Sequence, residues 1–311
     1  MTFPKTFLFF LLMPLFLQNT LNADAERNIK KARVENSEPT LKCGPSESEG
    51  VITPSKLPGE LKKGMTILLM PGKYEYDEIG INTDKVVITG EPGRYCDVKV
   101  VVSGKDCVIK NLWVREIRSE GNTVFIDSIV SNFVTEKSDT AEIVFDNCCI
   151  GTTNICAPGK KLVYRNCTLC ATEELFSANG GDFDFGKCIL YSRNLLFRLE
   201  SGGNKVKIAI ANSVAFAKNN FAADRDMKMI AGKSGDVKKS KLLCTLVMKK
   251  VLEEKPILKL EMGESDKDLA GWWPGNVHPR NFVLLDDSPG KKDGFGAKLS
   301  EDGFPASVKE K

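Results

Sequence analysis

The chain has 311 residues, 42% of them hydrophobic, with 44 Lys and Arg against 41 Asp and Glu and a formal net charge of +3. Charges of both signs are mixed, so the clustered basic face of a nucleic-acid binder is absent, and the Lys-rich stretch 228–250 reads as a solvated edge. A single histidine excludes any multi-histidine metal site.

At the amino end, Met1 to about Ala25 combines one early cation, Lys5, with an apolar run from Phe7 to Leu17 and the small-residue triplet Ala23-Asp24-Ala25. This pattern predicts a secretory signal peptide over residues 1–25, with a retained helical anchor as the alternative. No later stretch has the length of a membrane span. The expected product is a soluble, monomeric protein, secreted, periplasmic or at the cell surface, with no membrane contact after cleavage. All ten cysteines lie beyond the signal. An oxidising destination would allow disulfides among them.

Residues 26–52 are polar and read as a leader or N-terminal cap. Leu57-Pro58-Gly59-Glu60-Leu61-Lys62-Lys63-Gly64 then predicts a helical turn that stops at Gly64. A strand follows over Met65–Met70, and further β-rich runs are Val86–Gly90 and Val98–Gly104, each bounded by turn residues. From here to about Leu260 no amphipathic helix is evident.

Internal repetition decides the architecture. The runs Cys107–Leu112, Thr123–Ser128, Ile143–Cys148, Leu162–Cys167, Phe183–Cys188 and Ile208–Ser213 share two alternating apolar positions followed by a polar residue. They recur at intervals of roughly 20 residues, about the length of one three-stranded coil. The chain is therefore expected to be all-β: a single-stranded right-handed parallel β-helix over residues 53–260, closed by a C-terminal capping segment and tail over 261–311. Alternation along each strand places Ile143 and Phe145, Leu162 and Tyr164, and Phe183 and Phe185 inside. A bend at the polar residue resets the alternation, so that Cys148, Cys167 and Cys188 should form an internal column flanked by Ser128 and Ser213. Packing is their expected role, with disulfides as the alternative. The bend column Asn111, Asp127, Asn147, Asn166 and Asn212 uses residues that tolerate a left-handed backbone.

The segments 59–74, 86–90 and 100–104, with Asn281–Gly290 near the end, resemble secreted bacterial right-handed β-helix proteins of the pectate-lyase-like superfamily. The resemblance spans most of residues 53–300 and implies the fold. It does not choose among polysaccharide lyases, glycoside hydrolases, pectin esterases and non-catalytic members. Asp182-Phe183-Asp184-Phe185-Gly186 is similar to the pectin methylesterase signature, which would make Asp182 a nucleophile. Its partner acid is missing, because Gly151-Thr152-Thr153-Asn154 stands where that acid belongs.

His278 lies in Trp272-Trp273-Pro274-Gly275-Asn276-Val277-His278-Pro279 with no nucleophile elbow around it, and reads as a loop histidine. Trp272 and Trp273 read as an end plug rather than a sugar platform. Cys167-Thr168-Leu169-Cys170 has redox spacing, but alternation puts the two thiols on opposite faces, and no metal site is assigned. An outward charged stripe remains, formed by Asp146, Arg165 and Asp184 on neighbouring coils with Lys187, Arg193, Arg198 and Glu200 nearby in sequence. It is the candidate substrate-binding face for a polysaccharide partner, though a solvated strand face has the same composition. No catalytic set is identified and no cofactor is evident; Ca²⁺ enters only if the protein is a lyase acting by β-elimination on a uronate polymer. A non-catalytic structural or adhesive surface protein is the third reading.

Overall fold

The computed structural model describes residues 23–34, 38–135, 140–155, 159–199, 205–242, 244–260 and 279–306, without the side chains of residues 75–77, 154 and 155. Two units are present, Met1–Asn36 and Ser37–Lys311. In the first, residues 23–34 are helical, and Arg27 pairs with Asp24 at 3.6 Å. The rest of the predicted signal peptide lies outside the described residues. No described helix is long and apolar enough to cross a membrane.

The second unit is a parallel β-helix of about seven turns. Its first sheet is built by parallel pairing from Leu41–Cys43 through Thr66–Leu69, Val87–Gly90, Cys107–Lys110, Thr123–Ile126, Glu142–Asp146, Lys161–Arg165 and Gly181–Gly186 to Val206–Ala217 and Cys244–Leu252. Parallel stacking thus already includes residues 41–43, ahead of the predicted start at residue 53. A second sheet runs through the distal halves of Tyr95–Val102, Trp113–Ser119, Ile129–Thr135 and Cys149–Ile155, then Glu174–Ala178, Leu195–Leu199 and Asn220–Asp224. The third sheet takes the proximal halves of those long strands, then Thr168–Ala171, Ile189–Ser192 and the end of Val206–Ala217.

Register explains the core. Ile143, Leu162 and Phe183 stand in register on successive coils, as do Phe145, Tyr164 and Phe185, all of them buried as the alternation predicts. Rungs about 4.8 Å apart force equivalent rings to lie flat on one another. Phe125, Phe145, Tyr164 and Phe185 stack with centroids 4.5, 4.8 and 4.8 Å apart. Phe133 meets this column edge-on, 5.0 Å from Phe145, which is the other arrangement the ring quadrupole favours.

From Asn111 to Asn212, the corner that follows the first sheet is turned by a left-handed residue. Asn111, Asp127, Asn147, Asn166 and Asn212 have φ between 47° and 54°, and Lys187 takes the same conformation at 56°. Behind each bend from Asp127 to Asn212 a small polar side chain points inward and donates to the carbonyl two residues back. The bonds are Ser128 to Ile126 (2.8 Å), Cys148 to Asp146 (3.3 Å), Cys167 to Arg165 (3.1 Å), Cys188 to Gly186 (3.4 Å) and Ser213 to Ala211 (2.8 Å). The predicted cysteine column therefore exists, free of disulfides, and its thiols add a second bond to corner carbonyls that already accept a backbone N–H from the neighbouring coil, as well as filling space.

The C-terminal segment departs from its expected place. Residues 279–306 do not lie across the last coil; they run back along the side of the stack, over the third sheet. Outward positions there are apolar: Tyr95, Trp113, Ile129, Cys149, Ile189, Tyr191 and Val214 are all buried, packed with Phe282, Leu284, Phe295 and Phe304 of the returning segment. Contiguous apolar surface of this kind needs a cover. The strap approaches so closely that Gly296, at φ +86°, would place a Cβ 2.7 Å from Thr168 Oγ1 and 2.8 Å from Ile189 Cγ1. Backbone bonds hold it there, with Gly296 N donating to Lys187 O (2.8 Å) and Ala297 N to Thr168 Oγ1 (2.9 Å).

Candidate functional site

Along each strand of the first sheet, outward side chains alternate with the core positions, and stacking turns them into columns. Asp146 stands beside Arg165, and Val163 beside Asp184, so three of the predicted stripe residues come together on consecutive rungs. Arg165 Nη2 lies 2.8 Å from Asp184 Oδ2, while Nη1 donates to the carbonyls of Tyr164 (2.9 Å) and Asp184 (3.2 Å). Asp146 is buried and accepts 2.9 Å from Asn166 Nδ2. Arg165 and Asp146 are thus framework, whereas Asp184 is half-exposed.

A parallel column continues the charge. Glu142, Lys161, Asp182 and Lys207 stand side by side in register. Lys161 pairs with Glu142, and Lys207 with Asp182 at 3.1 Å, with Lys207 and Asp182 still 63% and 49% exposed. Both acids of the esterase-like segment are therefore ion-paired, Asp182 to Lys207 and Asp184 to Arg165, while Phe183 and Phe185 point into the core.

The remaining predicted residues lie elsewhere. Lys187 sits exposed at the adjoining corner, where its carbonyl receives the strap. Arg193 occupies the turn after Ile189–Ser192. Arg198 belongs to the second sheet and pairs with Glu174 at 2.6 Å. Glu200, His278, Trp272 and Trp273 lie outside the described residues. Cys167 and Cys170 fall on opposite faces, one in the coil core and the other beneath the strap. Burial raises both thiols far above the ordinary range, which opposes thiolate chemistry. Among the described residues no three His, Cys, Asp or Glu gather at metal-binding distance.

Sequence reasoning missed two features. On the second sheet a polar ladder climbs the stack: Lys99 bridges Glu78 (3.0 Å) and Glu116 (3.8 Å), Asn132 donates to Glu116 (2.9 Å), and Thr152 to Asn132 (3.1 Å). These residues carry no shared motif, and only register aligns them. The other is a cleft at the final turn, lined by Phe216, Lys218, Asn219 and Lys233 among others, whose residues come from three separate segments between 215 and 253 that share no motif. Compared with known proteins, the chain matches no family model, no curated protein and no solved structure.

Proposed function

We propose that this chain is an exported β-helix protein, allied to the non-catalytic members of the pectate-lyase-like superfamily, that holds an extracellular polysaccharide along the outward face of its first sheet. One observation carries the reading: charged groups of both signs recur rung after rung along the axis, with Asp182, Asp184 and Lys207 facing solvent. A polymer repeats, and a surface offering donors and acceptors about every 4.8 Å matches a repeating partner. Binding is favoured over β-elimination because Arg165, the guanidinium nearest the exposed acids, is already engaged by one carboxylate and two carbonyls. A base must be free to take a proton.

Affinity electrophoresis of the mature chain through gels containing uronate polymers, with and without Ca²⁺, tests this. Retardation is expected without release of unsaturated product absorbing in the ultraviolet. The double substitution Asp182→Ala with Lys207→Ala removes an exposed pair worth no more than about 1 kcal/mol to stability, so the fold should persist while retardation falls. Unchanged retardation would move the ligand off this face; ultraviolet-absorbing product would make the protein a lyase.

A further inference from the structure

The last turn of the stack contains a cavity that the lateral face does not use. Pairing of Val206–Ala217 with Cys244–Leu252 ends at Val214 beside Leu252, so among the described residues no strand pairs with this edge of the chain beyond Val214. Above that edge lies a cleft of about 650 Å³ whose walls include Phe216, Lys218, Asn219, Lys233, Asp236 and Glu253. The volume is within the roughly 300–1,000 Å³ of pockets that bury small ligands.

The polar groups of the cleft are only partly used. Lys218 and Lys233 make no ion pair among the described residues. Asn219 donates through Nδ2 to Asn194 Oδ1 (3.1 Å), which leaves its own carbonyl oxygen to accept. Glu253 accepts from Ser234 Oγ through Oε1 (2.6 Å), and Asp236 from the Lys233 backbone N–H through Oδ2 (3.3 Å), so each carboxylate keeps a second oxygen. Phe216 is half-buried, with one ring face against Tyr191 at 6.3 Å.

We propose that this cleft binds a short acidic oligosaccharide, or the end of an acidic glycan chain, with the sugar carboxylate between Lys218 and Lys233. Hydroxyl groups donate to Asn219 Oδ1, Asp236 and Glu253, and the apolar face of a sugar ring lies against Phe216. Two carboxylates in the wall disfavour a compact anion with its charge on one centre, such as phosphate, and two ammonium groups that make no ion pair among the described residues favour a glycan with one carboxylate per sugar ring over a neutral one. The sugar class rests on the polysaccharide reading above; the position in the fold does not.

Calorimetric titration of the mature chain with trigalacturonate tests it, with galactotriose as the neutral control and inorganic phosphate as competitor. Trigalacturonate should bind, galactotriose more weakly, and the double variant Lys218→Ala with Lys233→Ala should lose about tenfold or more in affinity, the effect of one or two charge-assisted hydrogen bonds. Both lysines are exposed, so an unchanged melting curve is expected for the variant. Absence of trigalacturonate binding, equal binding by the double variant, or displacement by equimolar phosphate would overturn the proposal. Trigalacturonate is too short to track the stack, so the two readings separate: Asp182→Ala with Lys207→Ala should leave its binding intact. A protein that retards in the polymer gel yet ignores the trimer refutes the cleft alone. One that binds the trimer without retardation supports the cleft and refutes the lateral face.

Discussion

At the scale of single residues, the corner is the unit that makes this fold, and two side-chain roles are separable there. The left-handed residue turns the chain, and the next residue gives a second hydrogen bond to the carbonyl before the turn, which already accepts a backbone N–H from the neighbouring coil. Cys167→Ser should therefore be nearly neutral, because Ser128 and Ser213 already make the same bond in the same column. Cys167→Ala, which deletes the donor and leaves a void, should cost roughly 1–2 kcal/mol in urea unfolding. Lys187 has the conformation of the asparagines without their tolerance for it. Lys187→Asn is expected to stabilise the protein by up to about 1 kcal/mol, seen as a higher melting temperature.

Buried thiols also set the alkaline limit. Cys43, Cys96 and Cys244 are pushed up from 9.0 to about 12, each chiefly by burial. An unfolded chain releases these protons first, so the stability they lend is complete below about pH 9 and is lost as pH rises towards about 12. Urea midpoints should fall steadily across that window, and replacing the three cysteines by alanine should flatten the slope there.

At the scale of elements, the strap and the aromatic column carry opposite kinds of information. The aromatic column follows from strand alternation alone, and Phe145→Ala should cost about 3–5 kcal/mol by opening a gap between two stacked neighbours. The strap depends on contacts between residues 129 and 151 positions apart, Thr168 with Ala297 and Asn147 with Lys298. Gly296→Ala should loosen it, since both the backbone angle and the Thr168 and Ile189 contacts oppose a Cβ. Increased binding of a hydrophobic dye, together with faster amide exchange at Tyr95, Trp113 and Tyr191, would report the uncovered third sheet; unchanged exchange would show that the strap is not what protects these residues.

For the whole molecule, coils that touch only their neighbours make stability a sum of rung and interface terms, and the ends decide whether stacking continues. Cys244–Leu252 closes the first sheet with Lys249 and Lys250 on its edge, and Lys250 has φ 53°. Charge and a bent backbone both discourage a further strand from joining. The repeat, the inward parity and the corner residues were legible in the sequence because each is set by bonds within one strand or one bend. The side-chain partners of the bend residues were not, because they are chosen between rungs: Asn147 bonds to Asp127 at 2.6 Å, whereas Asn166 turns to Asp146.

By itself, then, the order of residues determined a stacked parallel β-helix, the faces of its core residues, and the meeting of Asp146, Arg165 and Asp184. Only the tertiary structure decided that Arg165 is consumed by its neighbours, that Arg198 belongs to a different face, that the tail covers the third sheet, and that a charged cleft opens beside the last turn. The physical reason is distance along the chain. Alternation and backbone preference act over a few residues, whereas these outcomes depend on which rung meets which, and on where a returning segment finds apolar surface to cover.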